Sequence, residues 1–508
     1  MRNNYLVVFI VTVTVIVMSS CRKDFEYAPS NGNLTFSKDT VYLDTVFANL
    51  GSSTYTLKVY NPTRDDVVIP TINLKKGTES FYRLNVDGVA GKQFTNVPIY
   101  AQDSLFILIE TTISIDDESI TELLYTDDLL FDSPPYQQSI PLVTLAKDAI
   151  LLYADADETQ ESLVLKTDAN GTELRVNAFE LKDNQLQFTN ERPYVIYGYG
   201  KVTNGKKLTI EPGARLFFHE NSGIVVQKGG QIIANGELSQ NQELLEGEII
   251  FEGDRLEPEF ARIHGQWGGI WLSDGSIENI INYSTIKNAN IGLYVGEKNQ
   301  NTTNSLSIAN SKIYNSSLSN LWAKNGMVRA ENLVLGGAGM SSLLISNGGE
   351  YSFIHSTIAN YWTNGFRSNP ALSISNDNTN DALASMDLVQ ADFINCIVDG
   401  NNQTELYLES NENNLFNFNF QNCLIKYAGS GSSDLYDFEN NSNYSNIILN
   451  AFPDFYDSRD NNFKIGLASE IINLGNVNSA ALVPFDILGI SRMDNPDLGA
   501  YQAQEKVE

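Results

Sequence analysis

Cysteine, histidine and basic side chains are all scarce in this chain of 508 residues, which has 3 Cys, 3 His and 33 Lys plus Arg against 62 Asp plus Glu. A formal charge of −29 disfavours nucleic acid as a partner, because phosphates call for clusters of Lys and Arg. The acidity reads instead as solubility in an extracellular setting. The histidines, His219, His264 and His355, have no zinc-site spacing, so structural roles are expected and no metal is. No serine elbow, Walker loop or dinucleotide fingerprint occurs, and no cofactor is expected. Long helical patterns are absent after the first twenty residues. Proline is sparse, 14 against 36 Gly, and Asn is abundant, which suggests many turns between short strands. Apolar residues at 42% and aromatics at 10% are ample for a packed core, so global disorder is excluded.

What the chain does have is a recurring phrase between Ile280 and Lys426: INYSTIKN, IANSKIYN, AENLVLGG, FIHSTIAN, FINCIVDG and FQNCLIKY. Aligned on their last apolar residue, the copies fall at Ile286, Ile313, Leu335, Ile358, Val398 and Ile425, in steps of 27, 22, 23, 40 and 27 residues. Repeats of roughly 20–45 residues that bury a face only against neighbours signal a solenoid. Within each copy apolar and polar residues alternate, so inward side chains should stack on their equivalents one rung away. The spacing predicts one row through Ile281, Ile308, Phe353, Phe393 and Phe420, and another through Ile286, Ile313, Leu335, Ile358 and Val398. Asn310, Asn332, His355, Asn395 and Asn422 share a third register, where Asn tolerates left-handed bends and its amides can bond along a stack. Cys396 and Cys423 occupy one slot in successive copies, either as a disulfide or as two buried thiols.

Residues 1–20 carry Arg2, an apolar run from Tyr5 to Met18 and Ser19-Ser20, the makings of an export signal too short for a comfortable membrane span. The Met18-Ser-Ser-Cys21 junction resembles a bacterial lipobox, with Met in place of the usual Leu. That resemblance implies cleavage before Cys21 and lipidation of its thiol, hence a partner in the outer membrane. Arg22-Lys-Asp-Phe-Glu26 is similar to the charged runs that send some lipoproteins to the cell surface. Residues 21–33 are read as the lipidated tether.

From residue 34 to 146 the pattern alternates with period two, as in Tyr55-Thr-Leu-Lys-Val-Tyr60 and Ser104-Leu-Phe-Ile-Leu-Ile109, with turns at Asn61-Pro62 and Asp87-Gly88. Several strands over this length argue for a β-sandwich. The stretch LKVYNPTRDDVVI resembles immunoglobulin-like domains of the abnormal-spindle and hydin type; without a cysteine pair, antibody-type domains are excluded. Residues 147–193 read as a polar connector, with acids at Asp155, Asp157 and Glu158. Short apolar runs separated by Gly-containing turns then follow, among them Leu208-Thr-Ile-Glu-Pro-Gly213 and Trp267-Gly-Gly-Ile-Trp-Leu272. These phrases, the repeats, and the closing Asp486-Ile-Leu-Gly489 and Pro496-Asp-Leu-Gly-Ala-Tyr501 resemble bacterial right-handed parallel β-helix lipoproteins. The expected fold is therefore all-β, a β-sandwich followed by a right-handed parallel β-helix over 194–508 with a C-terminal cap.

The 40-residue step implies that part of Tyr361 to Gln390 leaves the coil as a loop, and Trp362, Phe366 and Arg367 are its candidate glycan contacts, against simple packing of the loop base. The motifs of β-helix polygalacturonases are missing, while a pectate-lyase-like site could draw its acids from different rungs. Two readings remain. The first is a non-catalytic surface scaffold that binds a glycan or an envelope or host partner, favoured by the missing motifs. The second is a polysaccharide-degrading enzyme.

Overall fold

The computed structural model describes residues 27–115, 120–154, 161–167, 173–298, 305–377, 385–429 and 433–506, and the chain divides into units Met1–Asp148 and Ala149–Glu508. The signal segment, Cys21 and the charged run to Glu26 lie outside the described residues, as do Asp155, Asp157 and Glu158. Among the described residues no helix is long and apolar enough to cross a membrane.

In the first unit two sheets share one core. One sheet pairs Val67–Leu74, Glu122–Phe131, Gln138–Lys147 and Val41–Phe47; the other pairs Tyr55–Tyr60, Ser104–Thr111 and Tyr82–Val86. Alternation places Leu57, Val59, Ile107 and Ile109 of the second sheet against Val41, Ile69, Leu129 and Leu142 of the first. Asn61 is buried at its strand end, donating from its amide to the carbonyls of Asp65, Ile99 and Tyr100 and accepting from Thr63, which satisfies the turn. The tether expected up to residue 33 ends earlier. Ala28–Pro29 pairs in parallel with Val67–Val68, and the Ser30 hydroxyl is buried against Asp132. A two-residue strand is too short to leave a periodic signal.

In the second unit three sheets, of 11, 10 and 10 strands among the described residues, run the length of a parallel β-helix, all paired in parallel except Glu161–Thr167, which is antiparallel to Glu173–Glu180. Each rung contributes one strand to each sheet in turn, as Tyr194–Ile196, Tyr199–Val202 and Lys207–Ile210 do. The expected rows hold: Ile281, Ile308, Phe353, Phe393 and Phe420 align in the third sheet, and Ile286, Ile313, Leu335, Ile358 and Val398 in the first. Ala330, which the phrase alignment did not place in its row, fills the third sheet between Ile308 and Phe353. The Phe353, Phe393 and Phe420 rings stack with centroids 5.1 and 4.7 Å apart. Asn310, Asn332, His355, Asn395 and Asn422 all have φ between 47 and 55°, the left-handed region, at the turn from third to first sheet. Asn332 Nδ2 donates to Asn310 Oδ1 at 2.8 Å, and Asn395 Nδ2 lies 2.9 Å from His355 Nε2. Burial pushes the His355 imidazole down to about 2, so it sits in the stack neutral. Cys396 and Cys423 are buried free thiols that donate to the Phe353 and Phe393 carbonyls.

Two expectations need correction. Residues 147–193 are not a connector, because they hold the first rung: Ile150–Leu152, Glu173–Glu180 and Gln187–Phe188 each pair with the strand that opens the next. A hairpin of Glu161–Thr167 and Glu173–Glu180 is inserted in that rung. Acids around these short strands masked the pattern. Nor does the C-terminal segment cap the end of the coil. Phe463, Ile487, Ala500 and Tyr501 pack on Val334 and Ala359, outward residues of the first sheet, while Leu435, Tyr436 and Phe438 pack against the core at the last rungs. Arg492, fully buried, holds the tail there: its guanidinium donates to Asn332 Oδ1, Phe485 O and Gly499 O at 2.7, 2.7 and 2.9 Å.

Candidate functional site

The outer face of the second sheet carries a row that the fold itself does not require. Strands Gly269–Leu272, Ile291–Val295 and Ser319–Lys324 put Ile270, Leu293 and Leu321 into the coil and Trp271, Tyr294 and Trp322 outside it, in register. Val225 precedes this row, and Leu344, Ser373 and Tyr407 continue it. The rings meet at 4.5 Å between Trp271 and Tyr294 and at 5.7 Å, edge to face, between Tyr294 and Trp322. Leu163, Leu165 and Val176 of the hairpin pack on the upper part of the row and bury Trp271 and Tyr294. Burial pushes the hydroxyls of Tyr199 and Tyr294 well above the usual phenol range.

The hairpin leaves a cleft along each side. The first, about 910 Å³, is lined by its second strand and by residues at the starts of the sheet's strands, among them Tyr199, Asn221, Trp271 and Asn290. Tyr199 lies across Gly223 and Gly268; a Cβ on Gly268 would overlap the tyrosine hydroxyl. The buried Trp271 indole lies beside the Tyr199 hydroxyl. At the cleft's edge Tyr197 stacks on His219 at 4.3 Å, and the His219 Nδ1 lies 2.8 Å from the Asp254 carboxylate. Burial raises Asp254, which the histidine partly offsets, and pushes the Tyr197 hydroxyl up to about 12.

The second cleft, about 960 Å³, follows the strand ends, with Lys228, Asp274, Lys324, Ser346, Ser375 and Glu409 beside Tyr294 and Trp322. Trp322 Nε1 donates to Ser346 Oγ at 2.9 Å, which fixes the indole plane. Gly296 leaves room for Asp274, since a Cβ there would run into the carboxylate. Among the described residues no group of three or more His, Cys, Asp or Glu is placed to hold a metal.

The residues expected to contact a glycan do not gather. Phe366 is 93% exposed and Trp362 is buried against His264, ring centroids 4.6 Å apart. Arg367 is buried in a two-pronged pair with Glu405, at 2.6 and 2.9 Å, and also donates to Asn360 O and Asn401 Oδ1. It therefore anchors the loop base and is withdrawn from any ligand. Its partner stands 38 residues away on another rung, which spacing alone does not reveal. The aromatic row, by contrast, left a trace: IWL, LYV and LWA are apolar at consecutive positions, as strands covered on both faces are.

No protein-family model matches the chain, and no curated protein matches it. Among solved structures it is similar to the catalytic unit of the thermostable GH87 alpha-1,3-glucanase from Streptomyces thermodiastaticus strain HF3-3, at 8% identity, covering 77% of this chain and 87% of that one with a TM-score of 0.24. The Agl-KA catalytic domain is similar at 11% identity, over 77% of this chain and 79% of its own, with a TM-score of 0.19. The periplasmic chaperone SfaE is similar at 9% identity over 23% of this chain, which spans 66% of the chaperone, with a TM-score of 0.17. Likenesses this slight say nothing of activity. The β-helix stands on its strand register.

Proposed function

We propose that this chain is a surface lipoprotein, anchored in the outer membrane through Cys21, whose β-helix binds a glycan on the outer face of its second sheet without cleaving it. The observation that carries this reading is the part of the outward row that the hairpin leaves uncovered, from half-buried Trp322 through Leu344 and Ser373 to exposed Tyr407, beside the polar second cleft. Aromatic faces beside amide, hydroxyl and carboxylate groups suit a sugar ring, whose C–H faces are apolar and whose rim is hydroxylated. In this reading the sandwich of residues 34–146, with its immunoglobulin-like phrase at Asn61, is a spacer, and the acidic surface is turned to the medium. A glycan array probed with the whole chain in detergent micelles tests it. Retention of neutral glycans is the expected result; an array with no retained glycan refutes the reading. For the anchor, Cys21→Ser should abolish labelling by a palmitate analogue, and unchanged labelling sinks that part.

One observation favours the polysaccharide-degrading alternative: the carboxylates of Asp274, Asp377 and Glu409 line the same cleft. Incubation of the bound polymers with the chain separates the readings. New reducing ends that disappear in Asp274→Asn or Glu409→Gln would establish hydrolysis. Pectate, alginate and chondroitin should yield no unsaturated uronate, since a formal charge of −29 repels polyanions.

A further inference from the structure

Resting on the glycan-binding reading, we infer that the second cleft, together with the exposed Tyr407 beside its lining, takes an extended, uncharged polysaccharide segment laid parallel to the helix axis, one pyranose ring per rung over the four rungs from Trp322 to Tyr407. Two columns carry this. The outward row descends Trp322, Leu344, Ser373 and Tyr407, in strict parallel register. Beside it descend Lys324, Ser346, Ser375 and Glu409, from the same four strands. The hairpin's Leu163, Leu165 and Val176 belong to the cluster that buries Trp271 and Tyr294; Trp322, at that cluster's edge, is half-buried, and Tyr407 is 43% exposed.

Rungs repeat about every 4.8 Å along the axis, close to the advance per ring of an extended pyranose chain. A chain lying across the rungs would meet one strand's alternating residues and then a turn. A chain lying along the axis meets the same pair of columns at every step, the floor of Trp322, Leu344, Ser373 and Tyr407 on one side and hydrogen-bonding groups on the other. The aromatic platforms stand at the first and fourth rungs, with the smaller Leu344 and Ser373 between, so the ends of a four-ring segment stack and its middle lies over the gap. Lys324 at one end and Glu409 at the other are opposite in sign, with two serines between. No run of one charge faces the chain, and the surplus of acids repels a polyanion, which leaves a neutral polymer.

The test is a length series. Cello-, manno-, xylo-, laminari- and malto-oligosaccharides of two to six units are titrated into the whole chain in detergent micelles, followed by calorimetry. For the oligosaccharide that binds, affinity should climb steeply from two to four units and level off beyond four. Trp322→Ala and Tyr407→Ala should each weaken the four-unit ligand about tenfold, and Tyr407→Phe, which keeps the ring, should bind as the parent does. Far-ultraviolet circular dichroism and melting confirm that each variant is folded. No binding by any member of the panel overturns the glycan-binding reading together with this inference. Binding equally tight for two and four units, or unchanged in both alanine variants, overturns the inference alone.

Discussion

The outer faces of the first and second sheets of the β-helix pose one problem and solve it differently. Both carry apolar residues outside the coil: Val334, Ala359, Ile397 and Leu424 on the first sheet, and Val225, Trp271, Tyr294 and Trp322 on the second. The first face is closed by the chain's own tail, with Ile471, Ile487, Leu498 and Tyr501 laid over it and Arg492 tying the tail to Asn332. Among the described residues the second is covered under the hairpin, and below it the row continues along the second cleft. An apolar outward row is thus no evidence of binding by itself. Incomplete cover is what separates a binding face from a docking face, because a fully desolvated row has nothing left to offer a ligand.

Four substitutions test that contrast, beginning with one that should destroy both faces. Ile313 is fully buried in the coil, so Ile313→Asp places an unpaired carboxylate among stacked apolar side chains, at a cost on the order of 5 kcal/mol. Denaturant titration should show the helix unit melting early; a midpoint within error of the parent would mean the register is wrong. Arg492→Met attacks the first face alone. It strips the acceptors at Asn332, Phe485 and Gly499 of their buried donor, worth roughly 3 kcal/mol, and should expose the tail to protease while glycan binding survives.

His355→Asn asks what the turn beside the first face contributes as pH falls. The folded state holds His355 neutral, with its pKa at about 2 against 6.5 unfolded, so its contribution is complete above 6.5. Below that value the unfolded chain takes up a proton that the folded one refuses. Stability is then lost by up to about 1.4 kcal/mol for each unit of falling pH. The Asn variant restores the residue type of the ladder and should show a flatter stability profile between pH 6.5 and 4; parallel profiles for variant and parent would show that His355 is not excluded from protonation. Tyr407→Ala sits at the other extreme. On the open face it should change stability by no more than about 0.5 kcal/mol while weakening binding, and a large loss of stability would mean that this face, too, is structural.

Particular residues show where sequence reading reached and where it stopped. The inward rows, the Asn register and the two buried cysteines were legible because stacking turns a spatial contact between neighbouring rungs into a sequence repeat. The first rung was missed because its first and third strands are only three and two residues long and its second, Glu173–Glu180, is also half of a hairpin. Arg367 stood between a ligand contact and packing of the loop base, and only the structure decides for packing, because its burial depends on Glu405, which the chain brings back one rung later.

The sequence by itself determined that the chain coils, with which residues inward and about which turns, because those features depend only on period and on the conformational tolerance of Asn and Gly. It also determined the formal charge of −29. Only the tertiary structure decided which outer face stays open. That choice rests on where the inserted hairpin and the returning tail come to lie, through contacts such as Arg492 with Asn332, 160 residues apart, which no local pattern encodes.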